Sequence, residues 1–353
     1  MLKPIQSRQS RHESSKRDAA REAGGYPPRA LAYTALFKLT GYLVATFPMR
    51  FRDDLLPAGL QIIGHRGHDN EVIETAIEVE RRNAESKEDK DERDGAKKCS
   101  TQKGIVMPAL EGKTALVTGG SRGIGAAIAT QLAERGATVA LTYVNGGAQA
   151  DSVVRAIESR GGKAIAIRAD NRDAQAIEAA VTKVAEAFGR VDILVNNAGI
   201  FHVGPVETLT VDDFDATMAI NVRAAFVASR AVLPVMPDGG RIISIGSNLA
   251  VRVPQAGLSL YTTSKAALAA LTQALARELG LRRITVNVVH PGSTHTDMNP
   301  ADGPHSAGQK ALMANPLGFA DPGEIAEVVA YLASPAARSV TGAAWTIDNG
   351  ANL

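Results

Sequence analysis

Tyr261 and Lys265 stand four residues apart in the segment Tyr261-Thr262-Thr263-Ser264-Lys265. On a helix that spacing puts both on one face, so a phenol and an ammonium can reach the same pocket. An isolated phenol, with a pKa near ~10, exchanges protons poorly at neutral pH. A nearby ammonium stabilises the phenolate and lowers that value, which suits proton exchange with a substrate oxygen. Ser247, following Ile242-Ile243-Ser244-Ile245, can hydrogen-bond that same oxygen, whereas Ser244 is expected to point elsewhere. Asn221, in Met218-Ala219-Ile220-Asn221-Val222, is a polar residue inside an apolar helix. Such a residue caps, kinks or holds a water; relaying a proton is the sharper reading. The Tyr–Lys spacing recurs by chance in long chains, so its meaning depends on the elements around it.

Those elements alternate. Apolar runs at 113–118, 137–143, 163–169, 191–195, 241–246 and 284–289 read as buried strands. Helix-length segments with apolar residues three and four apart lie between them, and a helix near 323–333 precedes a strand near 343–347. Strands alternating with helices predict a doubly wound, Rossmann-type α/β fold, a parallel sheet of about seven strands with helices on both faces. The first strand ends in Thr118-Gly119-Gly120-Ser121-Arg122-Gly123-Ile124-Gly125, and a helix pattern starts at once. Glycines there let a backbone approach a pyrophosphate, and the unpaired N–H groups of a helix start favour the anion.

The second strand ends Leu141-Thr142-Tyr143-Val144-Asn145, without a carboxylate. Sites that choose NAD place an acid there for the ribose 2′-hydroxyl. Its absence, together with Arg122 in the turn, favours NADP(H) over NAD(H), with Tyr143 and Asn145 beside the ribose. Asp170-Asn171 closes the third strand, where a side chain can meet the adenine edge or cap the next helix. Asn196-Asn197-Ala198-Gly199 ends the fourth strand with small and amide residues, which suit a backbone lying against a ligand.

The chain has 353 residues, 45% hydrophobic and 22% charged, enough for a sizeable core. A net charge of +2 argues against a nucleic-acid-binding surface. Cys99 is the only cysteine, so no intrachain disulfide can form, and a reducing, cytoplasmic setting fits. Residues 1–108 read as a poorly ordered extension and 109–353 as the catalytic domain. Residues 1–52 carry a balance of +7. An organelle-targeting role for that basic start is opposed by Glu13, Asp18 and Glu22. The apolar stretch 30–47 is interrupted by Lys38, too broken for a membrane span. Residues 69–98 read as a short acidic helix running into a solvated charge block. His202 is placed to touch substrate, but His202, His290 and His295 share no metal-ligand spacing, and no metal is expected. Trp345 reads as packing or subunit contact. Residues 297–320, of mixed polarity, read as a substrate-covering lid.

Taken together, residues 110–353 resemble a single-domain short-chain dehydrogenase/reductase. The motifs are the Thr118–Gly125 turn, Asn196–Gly199, and Asn221, Ser247, Tyr261 and Lys265 in family order. The general likeness is to 3-oxoacyl-carrier-protein reductase-like ketoreductases. It implies that Tyr261 protonates a carbonyl oxygen as hydride arrives from the nicotinamide. It also implies that Lys265 binds the nicotinamide ribose and lowers the Tyr261 pKa, Ser247 orients the carbonyl, and Asn221 holds a water. Gly119, Ser121, Arg122, Gly123, Ile124 and Gly125 would then cradle the cofactor, with Asn197, Ala198 and Gly199 beside it. Pro291, Gly292, Thr294 and Thr296 resemble the loop for the carboxamide and a phosphate, Thr294 replacing a more usual Ile or Val. The resemblance implies a tetramer or dimer whose contacts use the helices of Asn221 and Tyr261. Residues 296–304 also resemble a subgroup that includes a cyclic-di-GMP-binding protein, which admits a signalling role as the alternative. Asn349 replaces a family glycine, and Asn tolerates the left-handed turn expected there.

Overall fold

The computed structural model describes residues 44–49, 58–63, 109–315 and 317–353. The chain divides into two compact units, Met1–Gly104 and Ile105–Leu353, each taken by itself. In the first, β1 (Val44–Met49) and β2 (Ala58–Ile63) form an antiparallel pair with Val44 opposite Ile63. The sequence reads residues 1–108 as a poorly ordered extension and singles out no strand there; this pair is what the structure describes of it. The missing signal is the lack of clean alternation in Val-Ala-Thr-Phe-Pro-Met. Residues 1–30 and the acidic segment 69–98 lie outside the described residues. Of the apolar stretch 30–47, only 44–47 is described, within β1. Among the described residues no helix is long and apolar enough to cross a membrane.

In the second unit, β3 (Thr114–Val117), α1 (Gly123–Glu134), β4 (Thr138–Tyr143), α2 (Gly147–Glu158), β5 (Ala164–Arg168) and α3 (Ala174–Phe188) form the first half. The second half comprises β6 (Ile193–Asn196), α4 (Val211–Met218), α5 (Ala224–Val232), β7 (Arg241–Ile245) and α6 (Ser259–Leu279). It continues with β8 (Thr285–Pro291), α7 (Ser306–Ala311), α8 (Pro322–Ala333) and β9 (Ala344–Ile347). The seven strands β3–β9 are all parallel, in the order β5-β4-β3-β6-β7-β8-β9. This is the doubly wound sheet that the alternating pattern predicts.

Strand side chains alternate between faces, so each apolar run feeds two cores. Ala115, Val117, Ile243 and Ile245 join α1 (Ile128, Leu132) and α8 (Ile325, Val329) on one face. Leu116, Leu194 and Ile242 join α3 (Ile177, Val181) and α5 (Val227) on the other. The strand order reverses between β3 and β6, which opens a crevice at their carboxyl ends. Register levels that rim, because Val117 pairs with Val195, Val195 with Ile243, and Ile243 with Asn287.

Candidate active site

The rim above β3 is built on missing side-chain volume. Gly119 has φ +64°, and a Cβ there would lie 3.0 Å from Ala198 Cα. A Cβ on Gly125 would lie 2.3 Å from the Gly119 carbonyl oxygen and 2.4 Å from Asn197 Nδ2, so only glycine fits. Asn197 Nδ2 donates to the Thr118 and Gly119 oxygens at 2.9 and 3.0 Å. The N–H groups of Asn197 and Ala198 donate to Thr118 Oγ1 at 3.0 and 3.1 Å. The two motifs read separately from the sequence are thus one hydrogen-bonded unit. Thr142 joins it by accepting from Gly119 N at 3.2 Å.

Helix α1 starts without a side-chain cap: Arg122, its N-cap residue, is extended (φ −159°) and makes no capping bond. Its first-turn donors therefore have no side-chain partner, which suits an anion. The Arg122 side chain is exposed and takes part in no ion pair among the described residues. Ser121, Gly123 and Ile124 are half-buried around it. Tyr143 is half-buried and Asn145 exposed at the end of β4.

Asp170 behaves differently from a helix cap. Its carboxylate is held by Arg172, with Nε at 3.1 and 3.0 Å and Nη2 at 2.6 Å. That pairing keeps the Asp170 carboxyl below the usual range. Asp173 is the residue that caps α3, accepting from Gln175 N at 2.9 Å. Asn171 is buried, lining a small internal cavity with Thr118 and Thr142.

The polar cluster lies above β7 and at the start of α6. Helix α6 begins at Ser259, two residues before Tyr261, and so places Tyr261 and Lys265 on adjoining turns. The Lys265 ammonium sits 5.8 Å from the Tyr261 ring centroid. It donates to the Ile245 carbonyl oxygen at 2.9 Å, and burial lowers its pKa to about 8. Burial pushes the Tyr261 phenol above its usual pKa, outweighing the lowering effect of the nearby Ser247 side chain. The sequence predicts a phenol pKa lowered by Lys265, and the structure corrects that. Removing the phenolate from water dominates, while Nζ is directed to a backbone carbonyl instead of the phenol oxygen.

Asn221 lies in a single π-helical turn, Ala219–Arg223, between α4 and α5. Its Oδ1 accepts from Ile200 N at 2.9 Å, and Nδ2 donates to Ile200 O at 3.1 Å and Ser264 Oγ at 3.0 Å. Both amide protons are used in holding the segment after Gly199 against α6. Gly199 itself lies in the corner between Asn221 and Lys265, and its ideal Cβ would stand 3.4 Å from Nζ.

The loop after β8 completes the crevice. Pro291 ends the strand, and Gly292 N donates to Ile347 O at 2.8 Å. Thr294 is buried, its Oγ1 bonded to the Gly292 oxygen at 3.2 Å. Thr296 reaches the glycine turn, with Cγ2 3.3 Å from where a Gly123 Cβ would stand. Asn299 and Gln309 exchange side-chain amide bonds at 3.0 Å each, and Gln309 also accepts from Ser293 at 2.5 Å. The predicted lid segment therefore carries its own helix, α7, and is pinned to the loop. Asn349 has φ +53°, as its place in a left-handed turn predicts.

One neighbour, Phe201, escaped the sequence reading, and His290 entered it only as a metal ligand weighed and set aside. Phe201 packs edge-on to Tyr261, centroids 4.7 Å apart, while remaining 46% exposed. Its only sequence signal is an apolar residue directly beyond a ligand-facing turn. His290 is buried, and its Nδ1 accepts from Ser247 N at 3.0 Å. His202 lies beside Asp213 at 3.5 Å, and Trp345 packs against Tyr331 with centroids 5.8 Å apart.

Known proteins are similar to this chain in sequence and fold. The family model described as enoyl-(acyl carrier protein) reductase matches residues 119–352. A short-chain dehydrogenase from Burkholderia cenocepacia J2315, solved in complex with NADP, is 57% identical, covering 69% of this chain and 100% of that one, with TM-score 0.68. A blue fluorescent protein from a metagenomic library, solved with NADPH, is 51% identical over the same shares, also with TM-score 0.68. The cyclic-di-GMP-binding biofilm dispersal mediator protein of Escherichia coli K12 is 43% identical over 242 residues, 69% of this chain and 98% of that one. The chain belongs to the short-chain dehydrogenase/reductase family of NAD(P)-dependent oxidoreductases.

Proposed function

We propose that this protein uses NADPH to reduce a ketone or 3-oxoacyl-type carbonyl to an alcohol. The observation that carries the reading is the convergence of Ser247, Tyr261 and buried Lys265 at the crevice. The uncapped start of α1, the exposed Arg122 and the lack of an acid at 142–145 fit a dinucleotide bearing a 2′-phosphate. The NADP and NADPH complexes of the relatives support the same choice. Bound NADPH supplies the hydride; the protein's own groups manage the oxygen and its proton. Ser247 polarises the carbonyl by hydrogen bonding, and the Tyr261 hydroxyl gives its proton to the developing alkoxide. A phenol held above its usual pKa is protonated at neutral pH, which matches the direction of reduction. Lys265 offers ammonium donors to the ribose. Asn221 fixes the backbone at Ile200, and with it the wall beside Gly199.

The substrate surface is apolar. Phe201 and Val203 are exposed on the loop after β6, Val251 and Val253 on the loop before α6. A bond from Gly204 N to Gly257 O, 2.8 Å, ties these loops together. Exposed Val211, Phe214 and Phe226 on α4 and α5 support a homo-oligomer, dimer or tetramer.

The test mixes purified protein and NADPH with a panel of 3-oxoacyl thioesters, ketones and quinones. We expect NADPH oxidation that Tyr261→Phe abolishes; no oxidation, or equal rates in the variant, overturns the reading. The second reading, binding of a cyclic dinucleotide, follows from the likeness to the Escherichia coli protein. Calorimetry with cyclic-di-GMP decides it, and an absence of heat removes it.

A further inference from the structure

We propose that His290 is a positioning residue that holds Ser247 for proton transfer by accepting its backbone N–H. Strand β7 ends at Ile245, and the ladder to β8 continues for one more donor, Gly246 N to Val289 O at 2.7 Å. The next donor along the chain, Ser247 N, belongs to a buried residue and finds no backbone carbonyl among the described residues. An orphaned N–H at such a depth is costly, so it takes whatever acceptor the fold can bring to it. The His290 imidazole replaces the missing carbonyl, with Nδ1 at 3.0 Å. Room for the ring comes from Gly246, where a Cβ would lie 2.3 Å from Nδ1. An Nδ1 that accepts must be unprotonated, which places the ring proton on Nε2. Burial and the nearby Lys265 ammonium both favour that neutral form.

The consequence reaches Tyr261 through one side chain. Ser247 is extended (φ −164°), its Oγ accepts from Leu249 N at 3.2 Å, and its side chain lies close enough to the Tyr261 phenol to act on its pKa. With its N–H anchored on His290, the Ser247 peptide is fixed, and with it the Cβ from which the hydroxyl faces the phenol. His290 touches neither substrate nor phenol; it acts through Ser247.

The kinetic test rests on the carbonyl-reductase reading and uses whichever panel substrate the wild type reduces. His290→Leu removes the acceptor, whereas His290→Asn offers Oδ1 where Nδ1 stood. We expect His290→Leu to lower kcat about tenfold with the NADPH KM within about twofold, and His290→Asn to recover most of it. In a Ser247→Ala background the same change should cost nothing further. An unchanged kcat in His290→Leu, or an undiminished loss in the Ser247→Ala background, overturns the proposal. A second measurement needs no turnover and no variant that must fold. Nitrogen NMR of histidine-labelled wild type with NADPH should show His290 with Nδ1 unprotonated at pH 7.5. A protonated Nδ1 overturns the proposal even if no panel substrate is reduced, an outcome that would itself overturn only the carbonyl-reductase reading.

Discussion

The two halves of the sheet build their rims by opposite means. Above β3–β5, the surface is made of backbone brought close by absent side chains, as at Gly119 and Gly125. Above β6–β8, it is made of buried polar side chains, each paired: Asn221 to Ile200, Lys265 to the Ile245 carbonyl, His290 to the Ser247 backbone N–H. The first half presents donors that await an anion. The second holds titratable groups out of water, where their pKa values move and their orientations are locked. A dinucleotide needs a fitted, repetitive surface, whereas proton transfer needs a few groups in one geometry. In this chain the two kinds of surface meet at the point where the strand order reverses.

The contrast can be broken from either side. Tyr261→Phe removes the proton and leaves the rim intact, so kcat should fall about 10³-fold while NADPH affinity, measured by fluorescence, stays put. Gly125→Ala should do the reverse, weakening NADPH about 10²-fold, because the added methyl meets the Gly119 oxygen and Asn197. Isothermal titration reads it, and unchanged affinity would contradict the close approach. Arg122→Ala should narrow the NADPH-over-NADH preference about tenfold, by loss of one charge-assisted bond. Steady-state KM ratios check that; an unaltered ratio moves the 2′-phosphate contact elsewhere.

The smallest effect sharpens the second half. The Lys265 pKa drops from 10.5 to about 8 on burial, so the unfolded chain binds more protons between those values. Stability should therefore rise with pH across that window, and Lys265→Met should lose the rise. At pH 7 the same variant should melt about 2–4 °C higher while losing activity, since it no longer buries an ammonium. Melts at pH 7 to 10 decide the point, and a wild-type profile parallel to that of the variant would refute it.

Much of the site was legible because its signals are local. Thr118–Gly125 needs glycine wherever backbone meets backbone, and Tyr261 and Lys265 share a face by helical period alone. Asp170 misled because the residue that ends a strand and the residue that caps a helix can be three apart. Asp173 won the cap, and Arg172 took the carboxylate. The Tyr261 pKa was misjudged because spacing counts the neighbouring charge but not the water removed. His290 and Phe201 gave almost no signal: one is an imidazole within a buried strand, the other an apolar loop residue.

By itself, then, the sequence determined the order of elements, the glycine turn and the four polar residues near the reacting centre. Periodicity and steric need are written residue by residue, and they survive without coordinates. Only the tertiary structure decided which partner each polar group would take. That choice depends on groups far apart in the chain, such as Ser247 and His290, meeting where water has been excluded.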